Sequence, residues 1–326
     1  MSNPKVFVSR IIPEQGLEMI GEVAEIEVWQ DELPPPYDVL LDQVRSLDGL
    51  VCLLTDRIDE ELLQTAGNRL KVISQMAVGF DNIDVATATK LGIPVGNTPG
   101  VLTDTTADFA FTLLMSAARR VVEGERFVKA GRWKTWGPTL LMGHDIHGAT
   151  LGLIGFGRIG RAMAKRAAGF DMRILCYDPF IDEDAARELG AESCPFEAVL
   201  AEADFLTLHV SLTADTHNLI GKREFEMMKR TCVLINSSRG PVVDPKALYN
   251  ALSNSDIAYA ALDVTEPEPI STDDPLLTLD NCLIVPHIAS SSVATRTKMA
   301  TMTAANLAAG LRGERLPNCV NPEVYE

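Results

Sequence analysis

The sequence lacks a C-x-x-C pair: its six cysteines, Cys52, Cys176, Cys194, Cys232, Cys282 and Cys319, are scattered, several of them inside apolar runs. That spacing argues against a zinc cluster or a disulfide framework and for reduced core thiols. No apolar stretch approaches the ~20 residues of a membrane span, and no charged-then-apolar leader opens the chain. A cytoplasmic protein with no membrane contact is expected. Positive charge is scarce, with 29 Lys and Arg against 45 Asp and Glu and a net charge of −16. Nucleic acid and anionic membrane surfaces are therefore poor partners, and any anionic ligand must be met locally by an arginine or by backbone amides. H-E-x-x-H, G-x-x-x-x-G-K-[ST] and G-x-S-x-G patterns are all missing, which leaves zinc hydrolysis, phosphoryl transfer and serine hydrolysis without support. No metal is expected.

What is present is a regular alternation of strand-like and helix-like segments. With 326 residues, 46% of them hydrophobic, the chain is long enough for two α/β domains. Short strands are predicted at Val6–Ser9, Glu25–Trp29, Gly49–Leu54, Lys71–Gln75 and Pro94–Gly96, with helices at Pro13–Ile20, Asp59–Ala66 and Asp84–Leu91. Asn97-Thr98-Pro99-Gly100 breaks the pattern, and one long helix is predicted from Asp104 to about Lys129, capped by Thr103 or Asp104. From Thr150 the alternation restarts, with later strands at Phe205–His209, Cys232–Asn236, Ile257–Leu262 and Cys282–Val285 and a last helix from Val293 to about Leu311. Because chain termini tend to meet, that helix is expected to return to the first domain. The expected division is 1–99 plus 289–326 for a discontinuous substrate domain and 100–288 for a nucleotide domain, with ligand bound in a cleft between them.

Residues Leu151 to Gly160 read LGLIGFGRIG, and Asp178 closes the run RILCYD 18 residues beyond Gly160. Strand, G-x-G-x-x-G, helix, strand and acid make the dinucleotide-binding fingerprint. Gly155 permits the tight turn, Gly157 lets the backbone approach a pyrophosphate, Gly160 lets helix and strand pack closely, and the helix N-terminus offers free N–H groups. Asp178 can accept both ribose hydroxyls. Pro179 and Phe180 supply no cation for a 2′-phosphate, so NAD is favoured over NADP.

Three further stretches place reactive groups just beyond strands. LINSSRGPVVD carries Arg239, whose fork can grip a carboxylate; ALDVTEPEPI carries Asp263, Glu266 and Glu268; CLIVPHIASSS carries His287. A cation, a carboxylate and an imidazole at three strand exits of a dinucleotide fold are the set that hydride transfer to a keto acid needs.

Together with AVGFDNID (Ala77–Asp84), NTPGVLTDTTADFAF (Asn97–Phe111) and SLTADTHNLIGKREFEMMK (Ser211–Lys229), these motifs make the sequence resemble the D-isomer-specific 2-hydroxyacid dehydrogenases along nearly its whole length, most closely the glyoxylate and hydroxypyruvate reductases. The resemblance implies two doubly wound parallel-sheet domains, a Rossmann NAD-binding domain and a smaller flavodoxin-like substrate domain. It makes Arg239 the substrate-binding arginine, His287 the proton donor and acceptor, and Glu268, the Glu-Pro five residues after Asp263, its carboxylate partner. The amides of Val78 and Gly79 would bind the carboxylate of a small anionic keto acid, while Thr106, Arg158, Ile159, Ser237 and Asp263 match positions that line the cofactor. One departure is Ser211-Leu212-Thr213, where many relatives have Pro-Leu-Thr; it concerns the loop by the adenine. The resembling reductases use a region corresponding to about 104–148 to cross to a partner subunit, which implies a homodimer. D-lactate, 2-ketogluconate or 3-phosphoglycerate specificity and a non-enzymatic NAD-sensing regulator are the competing readings. A formate dehydrogenase is disfavoured by Glu268, where that branch has Gln.

Overall fold

The computed structural model describes residues 3–326. The chain divides into two compact units, Met1–Leu102 with Ser291–Glu326, and Thr103–Ser290; the boundaries expected from sequence lay at 99/100 and 288/289.

The first unit is a five-stranded parallel sheet, β1 (Lys5–Val8), β2 (Glu25–Val28), β3 (Gly49–Cys52), β4 (Val72–Gln75) and β5 (Val95–Gly96), in the order β2-β1-β3-β4-β5. This is the flavodoxin-like doubly wound order. Central strands β3 and β4 are buried at every position, as a parallel sheet covered on both faces requires. The covering helices are α1 (Glu14–Gly21), α2 (Tyr37–Val44), α3 (Glu60–Ala66) and α4 (Val85–Lys90). Asp59 and Asp84 start α3 and α4 by accepting from the amides of Leu62 and Thr87.

The second unit begins with α5 (Thr103–Ala118) and α6 (Val121–Lys129). The single long helix predicted there is broken at Arg120, which takes a left-handed conformation (φ 53°). Its guanidinium holds the turn, binding Glu123 through Nε and Nη2 (2.8 Å each) and the Met142 carbonyl through Nη1 (3.3 Å).

A seven-stranded parallel sheet follows: β6 (Thr150–Ile154), β7 (Arg173–Tyr177), β8 (Ala191–Ser193), β9 (Phe205–Leu208), β10 (Val233–Asn236), β11 (Tyr259–Leu262) and β12 (Cys282–Ile284), in the order β12-β11-β10-β9-β6-β7-β8. Strand order reverses between β6 and β9, the position where doubly wound sheets open a ligand crevice beyond their carboxyl ends. Its helices are α7 (Arg158–Ala168), α8 (Glu183–Glu188), α9 (Phe196–Glu202), α10 (Lys222–Met227) and α11 (Pro245–Ser253). The last helix, α12 (Val293–Leu311), is capped by Ser292 and lies in the first unit against α1, β3 and β4. Among the described residues, no helix is long and apolar enough to cross a membrane.

Candidate active site

The turn between β6 and α7 explains its own glycines. Gly155 has φ +93°, and a Cβ there would lie 2.6 Å from the His209 carbonyl oxygen. A Cβ on Gly160 would lie 2.2 Å from the Gly155 carbonyl oxygen, so both positions exclude a side chain. Gly157 has open space where its Cβ would project. The first intrahelical bond of α7 comes from Arg161 N to Gly157 O, so the amides of Arg158, Ile159 and Gly160 head the helix toward that opening.

Asp178 follows β7, and its carboxylate is fixed from both sides, Oδ2 accepting from Phe156 N (2.8 Å) and Oδ1 from Phe180 N (2.9 Å). The buried Ser237 hydroxyl, by contrast, has no hydrogen-bond partner among the described residues, while Thr106 is buried on α5. Open room over Gly157, free helix amides, an oriented carboxylate and an orphaned hydroxyl suit a dinucleotide. In the Ser211–Thr213 departure, the Thr216 hydroxyl binds the Ser211 carbonyl (2.6 Å) and accepts from Thr213 N (2.8 Å), shaping the loop without a proline.

Arg239, Glu268 and His287 leave three neighbouring strands, β10, β11 and β12, at their carboxyl ends. Asn236 Nδ2 donates to the Arg239 carbonyl (2.8 Å), and Asn236 Oδ1 accepts from both N (3.0 Å) and Oγ (2.8 Å) of Ser238, so the end of β10 shapes the arginine loop. Of the two candidate glutamates, Glu268 is the one that meets the imidazole, with Oε1 2.5 Å from His287 Nδ1.

His287 takes a left-handed conformation, φ 51°, uncommon for a residue with a side chain and held only where its surroundings over-determine it. They do so through Asp263. The Asp263 carbonyl accepts from His287 N (2.8 Å), and its carboxylate accepts from Ile288 N (2.7 Å) and Ala289 N (2.9 Å). Asp263 is almost completely buried; burial lifts its carboxyl above the ordinary carboxylate range, while the two amides and His287 act the other way. The resemblance puts Asp263 at a position that lines the cofactor. Its contacts tie it to the loop that carries His287. With Nδ1 occupied by Glu268, Nε2 of His287 has no hydrogen-bond partner among the described residues and is the nitrogen left for chemistry.

Val78 and Gly79 lie in the first unit, in the loop after β4. Their N–H groups have no acceptor among the described residues, whereas the carbonyls of Ala77, Val78, Gly79 and Phe80 all accept hydrogen bonds. No group of three or more histidine, cysteine, aspartate or glutamate side chains among the described residues could hold a metal ion.

Residues 111–289 match the NAD-binding domain family of D-isomer specific 2-hydroxyacid dehydrogenases, more than half of the chain. The chain belongs to that family. A glyoxylate reductase of Korarchaeum cryptofilum is 56% identical over 324 residues, covering 99% of this chain and 97% of the relative. A solved Thermus thermophilus protein superposes with a TM-score of 0.91 at 42% identity, covering 97% of this chain and 99% of the other. D-Lactate dehydrogenase of Aquifex aeolicus, solved with NAD and lactic acid, gives 0.84 at 28% identity, with 97% and 98% covered. The protein is thus an oxidoreductase of the nicotinamide-dependent kind that interconverts 2-keto and 2-hydroxy acids.

Proposed function

We propose that this dehydrogenase reduces glyoxylate, and hydroxypyruvate with it, using NADH. The observation that carries the reading is the His287–Glu268 pair, held on a left-handed residue by Asp263 at the same sheet edge as Arg239. NADH supplies the hydride when bound; Gly155, Gly157, Arg158, Ile159 and Gly160 hold its pyrophosphate, Asp178 its ribose, and Thr106, Ser237 and Asp263 line its path. Arg239 grips the substrate carboxylate with its fork, the amides of Val78 and Gly79 bind it as well, and together they polarise the keto group. His287 passes a proton from Nε2 to the oxygen that becomes the hydroxyl, and Glu268, at Nδ1, keeps the ring oriented. These local donors answer the charge problem of a chain carrying −16.

The test is NADH consumption with glyoxylate, hydroxypyruvate, pyruvate, 2-ketogluconate and 3-phosphohydroxypyruvate, ranked by kcat/KM. The phosphorylated acid belongs in the panel because Arg10 Nη2 reaches Thr55 Oγ1 (3.0 Å), which puts a cation just beyond the carboxyl end of β3. Binding of NADH without turnover on any of these acids would replace the enzyme reading with a sensing one.

The preference for NADH over NADPH is expected to reach at least about tenfold in kcat/KM, because the fixed Asp178 carboxylate repels a 2′-phosphate. Equal efficiency would remove that role from Asp178. A cytoplasmic homodimer completes the proposal. On α6 and the irregular segment after it, Val121, Val128, Trp133, Trp136 and Met142 are all more than half exposed, with Trp136 at 77%, an apolar display that a second copy would cover. Light scattering giving a monomer at micromolar concentration would overturn the assembly.

A further inference from the structure

In a planar peptide the C=O and the following N–H point in opposite directions, so anchoring one carbonyl oxygen aims the next amide. The loop after β4 is anchored in this way three times running. Thr98 N holds the Ala77 oxygen (2.9 Å) and thereby aims the Val78 amide; Asn97 Nδ2 holds the Val78 oxygen (2.8 Å) and aims that of Gly79. Gln75 Nε2 holds the Gly79 oxygen (2.8 Å) and aims the amide of Phe80.

Gln75 is the last residue of β4 and is fully buried, an expensive place for a carboxamide unless all its bonds are made. They are made. Its second amide hydrogen goes to Asn82 Oδ1 (2.6 Å), and its oxygen accepts from Asn82 Nδ2 (3.1 Å) and from the Cys52 thiol (3.2 Å). Asn82 in turn binds the carbonyls of Leu53 (3.0 Å) and Asp56 (2.8 Å). The reciprocal Gln75–Asn82 pair thus clamps both ends of the 76–82 loop to the ends of β3 and β4. A run of oriented amides of this kind makes an anion-binding concavity, and each carbonyl bond further polarises the peptide whose N–H it aims.

We infer that Gln75 is a positioning residue for substrate binding, which sets the Gly79–Phe80 peptide so that Phe80 N–H joins the amides of Val78 and Gly79 as a third donor to the keto acid's carboxylate. The inference rests on the proposed reading of the site and deepens it. Gln75 touches no substrate and acts only through the loop.

The test is Gln75→Met, which keeps length and apolar bulk but removes the donor, assayed beside Gln75→Asn, which keeps the carboxamide one methylene too short to reach Gly79. Both are expected to raise KM for glyoxylate and the Ki of oxamate about tenfold, equivalent to about 1.4 kcal/mol. Turnover at saturation and the Kd for NADH should stay within twofold. Unchanged KM and Ki in folded variants would overturn the inference alone. A matched fall in kcat and NADH affinity, or loss of folding in both variants, would make Gln75 a core residue and overturn it too. A wild type that neither reduces glyoxylate nor binds oxamate would overturn the site reading, and this inference with it.

Discussion

The carboxyl edge of the seven-stranded sheet and the loop after β4 in the five-stranded one present opposite designs. At the sheet edge the proposed chemistry is in side chains, Arg239, Glu268 and His287, and the fold's task is to aim three long groups from three strand exits. In the loop the proposed binding groups are main-chain amides, and side chains such as Gln75 and Asn82 hold the peptides that carry them. Side-chain chemistry therefore announces itself in the residues, whereas the amides of Val78 and Gly79 are reached from sequence only through the resemblance, and their supports only through the geometry.

The comparison breaks most sharply at His287. His287→Ala is expected to lower kcat/KM for the keto acid by about 10²- to 10⁴-fold if acid–base catalysis alone is lost. NADH binding, followed by fluorescence titration, should be nearly intact. A loss below tenfold would mean that the proton comes by another route, and the contrast between a chemical edge and a binding loop would fail.

Arg239→Lys keeps the charge and removes the fork. Losing one of two charge-assisted bonds is worth roughly 1.5–3 kcal/mol, or about 10- to 100-fold, and it should appear mainly in KM. An unchanged KM would leave carboxylate binding to the amide loop alone.

Glu268→Gln against Glu266→Gln sharpens the edge itself. Only Glu268 touches the imidazole. The first change is expected to cost about tenfold in kcat, as loss of one charged hydrogen-bond partner would, and the second to stay within twofold. Equal effects would point to the acidic loop as a whole rather than to the pair.

Much of this was legible because parallel strands buried on both faces read as apolar runs. Every strand expected in either sheet is present within two residues, and the 293–311 helix has the expected bounds. The break at Arg120 was hidden, since neither glycine nor proline marks it and the turn is held by an arginine side chain reaching Glu123 and Met142. Helix α2 is hidden behind Pro34-Pro35-Pro36, although Pro36 stands at its N-cap, where a missing N–H costs nothing. Asp263 carries one signal of its structural tie to the His287 loop: a carboxylate following directly on the buried strand AYAALD needs backbone donors, and the turn into PHIA supplies them. Gln75 and Asn82 had no signal of that kind.

The smallest expected effect concerns His209, at the end of β9 beside the nucleotide turn, its Nε2 3.0 Å from Thr207 Oγ1. Burial lowers its pKa to about 3, against 6.5 for a free histidine. The folded protein thus holds the ring neutral at pH values where the unfolded chain binds a proton. Above pH 6.5 both states are neutral and stability does not depend on this group; as pH falls from 6.5 toward 3 the unfolded state gains protons that the folded state refuses, so stability is lost, and below 3 the loss levels off. Since the ring is not wholly shielded from water, the loss between pH 7 and pH 5 is on the order of 1–2 kcal/mol. His209→Gln, which keeps a polar partner for Thr207 but cannot titrate, should flatten the fall in melting temperature over that interval while leaving kcat at pH 7 close to wild type. The loop after β4 contains no histidine, so variants there should keep the wild-type slope. Parallel pH–melting curves for His209→Gln and wild type would remove this difference between the two regions.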